Sequence, residues 1–228
     1  MNGSSSGPTT FNITLSQTVA AGNAIAIAYM GANNSFSGTF SLTSVVDDKS
    51  NSYPITPAPY KPIAVYGGSG ILGSLCTGNI TNGPSVFTFT IASAGGGSSP
   101  TMDATVYEVS GLGSNPLLDV SGEGGQFYNP VSGSETTNSF TTAFPNELAL
   151  VSGYFSAGTA VFTQNNGWTQ AYQETTYHAL MLYNVLSASG SNSLQMTPSV
   201  STLSYLQIQT WTPNAATVAP PIGQAWIG

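Results

Sequence analysis

The sequence predicts an all-β protein, an antiparallel β-sandwich that is jelly-roll-like, with extended N- and C-terminal arms. Three observations predict it. Apolar residues recur with period two, the spacing of a strand with one buried face. Gly (26) and Pro (14) are frequent and cluster between those runs, as turns require. Only two basic and nine acidic side chains occur in 228 residues, no arginine among them, or 5% charged against about 25% for an ordinary soluble domain. A helix cannot clothe its solvent face from that palette, whereas a sheet can use Ser, Thr, Asn and Gln.

The elements follow in order. Phe11, Ile13 and Leu15 alternate with Asn12, Thr14 and Ser16, predicting a strand with its apolar face inward. The run Ala24–Tyr29 is apolar on both faces and predicts a central strand. Phe87, Phe89 and Ile91 predict a third alternating strand, and Met102–Val109 a closing one. Pro116–Val120 has strand character, so nothing between 111 and 140 reads as a clean linker. Gly22–Ile27 is echoed by Pro145–Leu150, and Leu203–Trp211 closes the second half as Met102–Val109 closes the first. Within it Leu206 and Ile208 alternate with Gln207 and Gln209, which are expected to face water. Turn clusters fall at 31–34, 47–51, 95–100 and 165–167. No helical periodicity extends over ten residues.

These elements organise the chain as an N-terminal arm (1–8), a single sandwich (9–212) with a pseudo-duplication near 111–140, and a C-terminal arm (213–228). One jelly roll is favoured over two Ig-like domains by the size of the chain. The last arm carries Ile222, Trp226 and Ile227, apolar anchors that point to docking on a neighbouring subunit or on the chain's own sandwich. The first residues, 1–6, have neither the basic stretch nor the apolar run of a secretory signal. No apolar run approaches the ~20 residues of a membrane span.

Chemistry is sparse. Without clustered Lys or Arg, nucleic-acid binding is not expected. His178 opens an apolar stretch with no serine elbow to accompany it, and Cys76 reads as a small buried hydrophobe. Glu108 and Glu147 offer the only carboxylate pair for glycoside chemistry, set against structural roles for both. No catalytic residue and no cofactor is assigned, and the expectation is a protein that is not an enzyme. Asp47, Asp48 and Asn51 carry oxygen ligands in one tight loop and are weak calcium candidates, with a capped hairpin turn as the plainer reading. Trp168 and Tyr172 flank a turn and are carbohydrate-stacking candidates, with core packing as the alternative.

The order Ala21–Ile27, Ser44–Tyr53 (SVVDDKSNSY), Val106–Leu112 (VYEVSGL) and Pro116–Asp119 (PLLD) resembles a loosely defined family of β-sandwich proteins of bacteriophage virions and extracellular bacterial proteins. The likeness covers about residues 9–212. It implies a jelly-roll-like unit for display or attachment and brings no catalytic residue. Three functions follow as expectations. The first is a virion structural protein, a capsid decoration or a tail or fibre component, assembling as a homo-oligomer or with other virion or surface subunits. The others are a carbohydrate-binding adhesin module for a host glycan and a subunit of an extracellular surface filament. Localisation is expected on a virion or an extracellular surface, and the signal-less start favours the virion.

Overall fold

The computed structural model describes residues 8–33, 39–51, 53–55, 60–65, 68–94, 100–113, 116–122, 126–127, 136–164, 167–176, 178–202, 204–212, 217–218 and 223–227. All regular structure among them is antiparallel β-sheet, and no helix occurs. The first half holds β1 (Pro8–Thr14), β2 (Ala24–Asn33), β3 (Thr39–Asp47), β4 (Tyr60–Val65), β5 (Gly68–Thr77), β6 (Val86–Ala94) and β7 (Thr101–Ser110). These make an outer sheet ordered β1-β6-β3 and an inner sheet ordered β4-β5-β2-β7. After β8 (Leu118–Gly122) and β9 (Gln126–Phe127) comes the second half. It holds β10 (Thr136–Thr142), β11 (Glu147–Phe155), β12 (Phe162–Gln164), β13 (Thr169–Glu174), β14 (Ala179–Leu186), β15 (Gly190–Pro198) and β16 (Ser204–Trp211). Its outer sheet is ordered β10-β15-β12 and its inner sheet β13-β14-β11-β16, the first-half order with every strand advanced by nine. Four antiparallel sheets are thus present, two in each half.

Hydrophobic alternation explains the layering. In β2, Ile25, Ile27 and Tyr29 point into a core shared with Phe87, Phe89 and Ile91 of the outer sheet. Ala24, Ala26, Ala28 and Met30 point the other way, against Leu148, Leu150, Tyr154 and Met181 of the second half's inner sheet. Ala149, Val151 and Phe155 then face a third core with Phe140, Trp168 and Leu194. The molecule is therefore a stack of four sheets whose two inner members are buried on both faces. This is why Ala24–Tyr29 carries no polar residue. β7 lies over β14 and β16 over β5, as a pseudo-twofold axis in the seam requires.

The echo between Gly22–Ile27 and Pro145–Leu150 marks equivalent strands but runs one residue out of register. Ile25 faces its own half's core, while Leu148 faces the seam. Shifting by one aligns the faces and also brings Gly22 (φ 89°) onto Asn146 (φ 59°), the left-handed position of each turn. The polar cluster at 31–34 does not begin as a turn. β2 runs on to Asn33, with the Phe40 ring seated where a Cβ on Gly31 would lie. Gln207 and Gln209, expected to face water, are instead 7% and 1% exposed because their side of β16 is the seam.

Edge strands are exchanged between the halves. β8, which follows the first half, pairs with β16 (Leu118 opposite Trp211, Gly122 opposite Ile208), and β9 pairs further along it. β17 (Thr217–Val218) and β18 (Gly223–Ile227), which follow the second half, pair with β7. Each half thus lends its trailing segment to the other's inner sheet.

Candidate functional site

The region that commits most polar chemistry is the seam between the inner sheets. Ser152 of β11 accepts a hydrogen bond from the backbone N–H of Tyr29 (3.2 Å) and donates to the carbonyl of Gly73 (2.6 Å). Gln209 Oε1 accepts from the Ser74 amide (2.5 Å) and hydroxyl (2.9 Å), and Trp211 Nε1 donates to Ser74 Oγ (3.2 Å). Second-half side chains therefore satisfy backbone groups of first-half strands β2 and β5. Each bond is buried, where an unmade partner costs about 1–3 kcal/mol. Apolar contact alone would let the two sheets slide, whereas these bonds fix their register.

Asp103 of β7 lies in the same seam and is 0% exposed. The Tyr172 hydroxyl donates to its Oδ1 at 2.9 Å, while Oδ2 has no hydrogen-bond partner. Loss of solvent pushes the carboxyl up to about 7, against the lowering effect of the Tyr172 bond. Nearby, Tyr107 meets Tyr183 edge to face with ring centroids 5.4 Å apart.

A second use of carboxylates is at the turns that lead into the two central strands. Glu108 Oε1 accepts from the Ala20 amide (2.8 Å) and from Asn23 Nδ2 (2.6 Å), tying the turn before β2 to β7. Asp119 Oδ2 accepts from the Ala143 amide (2.7 Å) and Glu147 Oε1 from the Phe144 amide (2.9 Å), tying the turn before β11 to exchanged strand β8. Burial raises Glu147 above the usual carboxylate range, and the neighbouring Asp119 carboxyl adds to the rise. Glu108 and Glu147 thus serve separate turns as acceptors for N–H groups. They do not flank one cleft.

The carbohydrate candidates do not present a platform. Trp168 is buried in the second-half core, edge to face with Phe140, its Nε1 donating to the Ser193 carbonyl at 3.0 Å. Tyr172 packs in the seam with its hydroxyl on Asp103. Both rings are spent on packing, Trp168 in the second-half core and Tyr172 against the seam.

Asp47, Asp48 and Asn51 form the capped turn. Asp47 Oδ1 accepts from the Lys49 and Asn51 amides and Oδ2 from Asn51 Nδ2 and the Tyr53 hydroxyl (2.7 Å each). Asp48 accepts from the Ser85 and Val86 amides, and the Ser85 bond leads in holding it below the usual carboxylate range. These oxygens are filled by N–H and O–H donors, and among the described residues no three acidic, His or Cys side chains cluster. Beside the loop, Thr43, Val46, Pro54 and Ile55 line a shallow open depression. His178 sits in a turn (φ 69°), stacked on Tyr154 and bonded through Nδ1 to the Phe155 carbonyl. Cys76 is buried in the seam, and burial raises its thiol.

Of the assembly arm, Ile222 lies outside the described residues. Trp226 and Ile227 are placed by backbone only, opposite Asp103 and Met102. Sequence reasoning gave no site role to Ser152, Asp103 or Asp119, and it expected Gln209 to face water. Asp119 alone carried a signal, a lone acid inside the apolar Pro116–Val120 run. No family model, curated protein or solved structure matches the chain. No helix among the described residues is long and apolar enough to cross a membrane.

Proposed function

We propose that this protein is a non-enzymatic structural subunit of a virion, a capsid decoration or a tail or fibre component, that assembles through its sandwich faces and arms. The observation that carries the reading is where the charge goes. Asp47, Asp48, Glu108, Asp119 and Glu147 all accept backbone N–H groups of turns, and Asp103 lies in the seam. Among the described residues, the outward strand faces carry mainly Ser, Thr, Asn and Gln. Such a surface has little like-charge repulsion to keep copies apart and little charge to desolvate on contact.

Sedimentation of the purified full chain tests this. A multimer or particle that persists at high salt is expected, because the contacts hold few ion pairs. A strict monomer at all concentrations, or turnover of a polysaccharide lost in Glu108→Gln, contradicts it. Capsid, portal or tail genes beside the coding sequence fit the virion reading, whereas pilus machinery there points to a surface filament.

A further inference from the structure

We infer that the edge of β7 is an acceptor site for the segment Gly223–Ile227 of a second copy of this chain, so that copies join by exchanging their last strand. The inference rests on the assembly reading and names its partner. Each half completes its inner sheet with a strand that follows the other half, β8 and β9 on β16, β17 and β18 on β7. Donation between sandwiches is thus the way this fold covers its inner-sheet edges. β8 lies within the chain, with β7 before it and β9 and β10 after it, so it cannot leave alone as a terminal strand can. β18 follows the second half, and the same β7 ladder forms whether it comes from its own chain or from another.

The two guest ladders also differ in quality. β8 meets β16 across a register shift between Gln209 and Trp211, and β9 adds only two pairs. β18 meets β7 in five consecutive pairs, from Gly223 opposite Val106 to Ile227 opposite Met102. An unbroken run of backbone pairing is what strand addition between chains uses for affinity. The connection to β16 contains Pro213, Pro220 and Pro221, which restrict their own φ and favour extended chain. A proline-rich connector loses little entropy when it is held extended. Because the contacts made are the same, exchange costs only association and is driven by concentration. Were β18 to leave without replacement, β7 would present an open edge, the usual starting point of sheet-to-sheet association.

The test uses full-length chains. Opposed residues of an antiparallel pair have Cα atoms about 4.5–5.5 Å apart, within disulfide reach. One chain carries Ala104→Cys and the other Ala225→Cys, and the two are co-expressed and oxidised. A second pair, Thr105→Cys with Gln224→Cys, samples the other geometry of the ladder. Buried Cys76 is present in all chains as the background control. A covalent heterodimer on a non-reducing gel is expected from at least one pair, absent when either single variant is oxidised alone. The double variant Ala104→Cys/Ala225→Cys, oxidised as a dilute monomer, is expected to lock β18 in its own chain and lose its multimer. Multimers that form with no interchain bond from either pair, or that survive the lock, overturn the exchange and leave the assembly reading standing. A chain monomeric throughout overturns both.

Discussion

The turn before β2 and the turn before β11 do the same job with different chemistry. In the first half one carboxylate, Glu108, comes from the half's own last strand and receives two N–H donors. In the second half two carboxyls share the task, and Asp119 arrives on a strand exchanged from the other half. Burial, with the Asp119 carboxyl adding to it, pushes Glu147 toward its neutral form. Topology repeats across this molecule while side-chain solutions do not. Of the two turns, the second alone is tied by a carboxylate carried on an exchanged strand.

The first half holds its own displaced acid in the seam, Asp103 of β7, a buried carboxyl with one donor. Its folded pKa of about 7 lies above the ordinary value of about 3.9. Between those values the folded chain keeps a proton that the unfolded chain has released. Stability therefore falls as pH rises from about 4 to 7 and stays lower above, by up to about 4 kcal/mol. Glu147 shifts in the same direction. Asp103→Asn is expected to raise the melting temperature at pH 8 and change it little at pH 5. Equal effects at both values would show that Asp103 is ionised throughout.

Glu108→Ala comes next, with an expected loss of about 3 kcal/mol, since two donors lose a charged acceptor. Glu147→Gln is expected to cost less and to flatten the pH dependence, because it removes the acid pair. Denaturant titrations of both variants at pH 5 and pH 8 measure the difference, and equal losses would erase the distinction between the turns. Ser152→Ala is expected to cost about 1–2 kcal/mol by removing the buried hydroxyl that bonds both the Tyr29 amide and the Gly73 carbonyl. The smallest effect concerns the left-handed residue of each turn. Asn146→Gly is expected to stabilise by up to about 1 kcal/mol, making the second turn like the first, where Gly22 already stands.

Much of the fold was legible because burial writes period two into the sequence. Phe11, Ile13, Phe87, Phe89, Ile91, Leu206 and Ile208 all lie in cores, and Ala24–Tyr29 is a central strand. The four-sheet stack was hidden because part of the seam is lined by small and uncharged polar side chains. Gln209, Gln207 and Ser152 look the same in sequence as a wet strand face, and only the sheet above them makes them buried. The turn carboxylates were visible as acids, but their partners lie 85 or more residues away for Glu108 and across the exchanged strand for Asp119.

The seam and the exchanged strands weld the two repeated halves into one cooperative unit. Calorimetric unfolding of the dilute full chain at pH 5, where Asp103 is protonated, tests it most directly. One transition whose calorimetric and van't Hoff enthalpies agree is predicted. Two separated transitions, each carrying about half of the enthalpy, would contradict it.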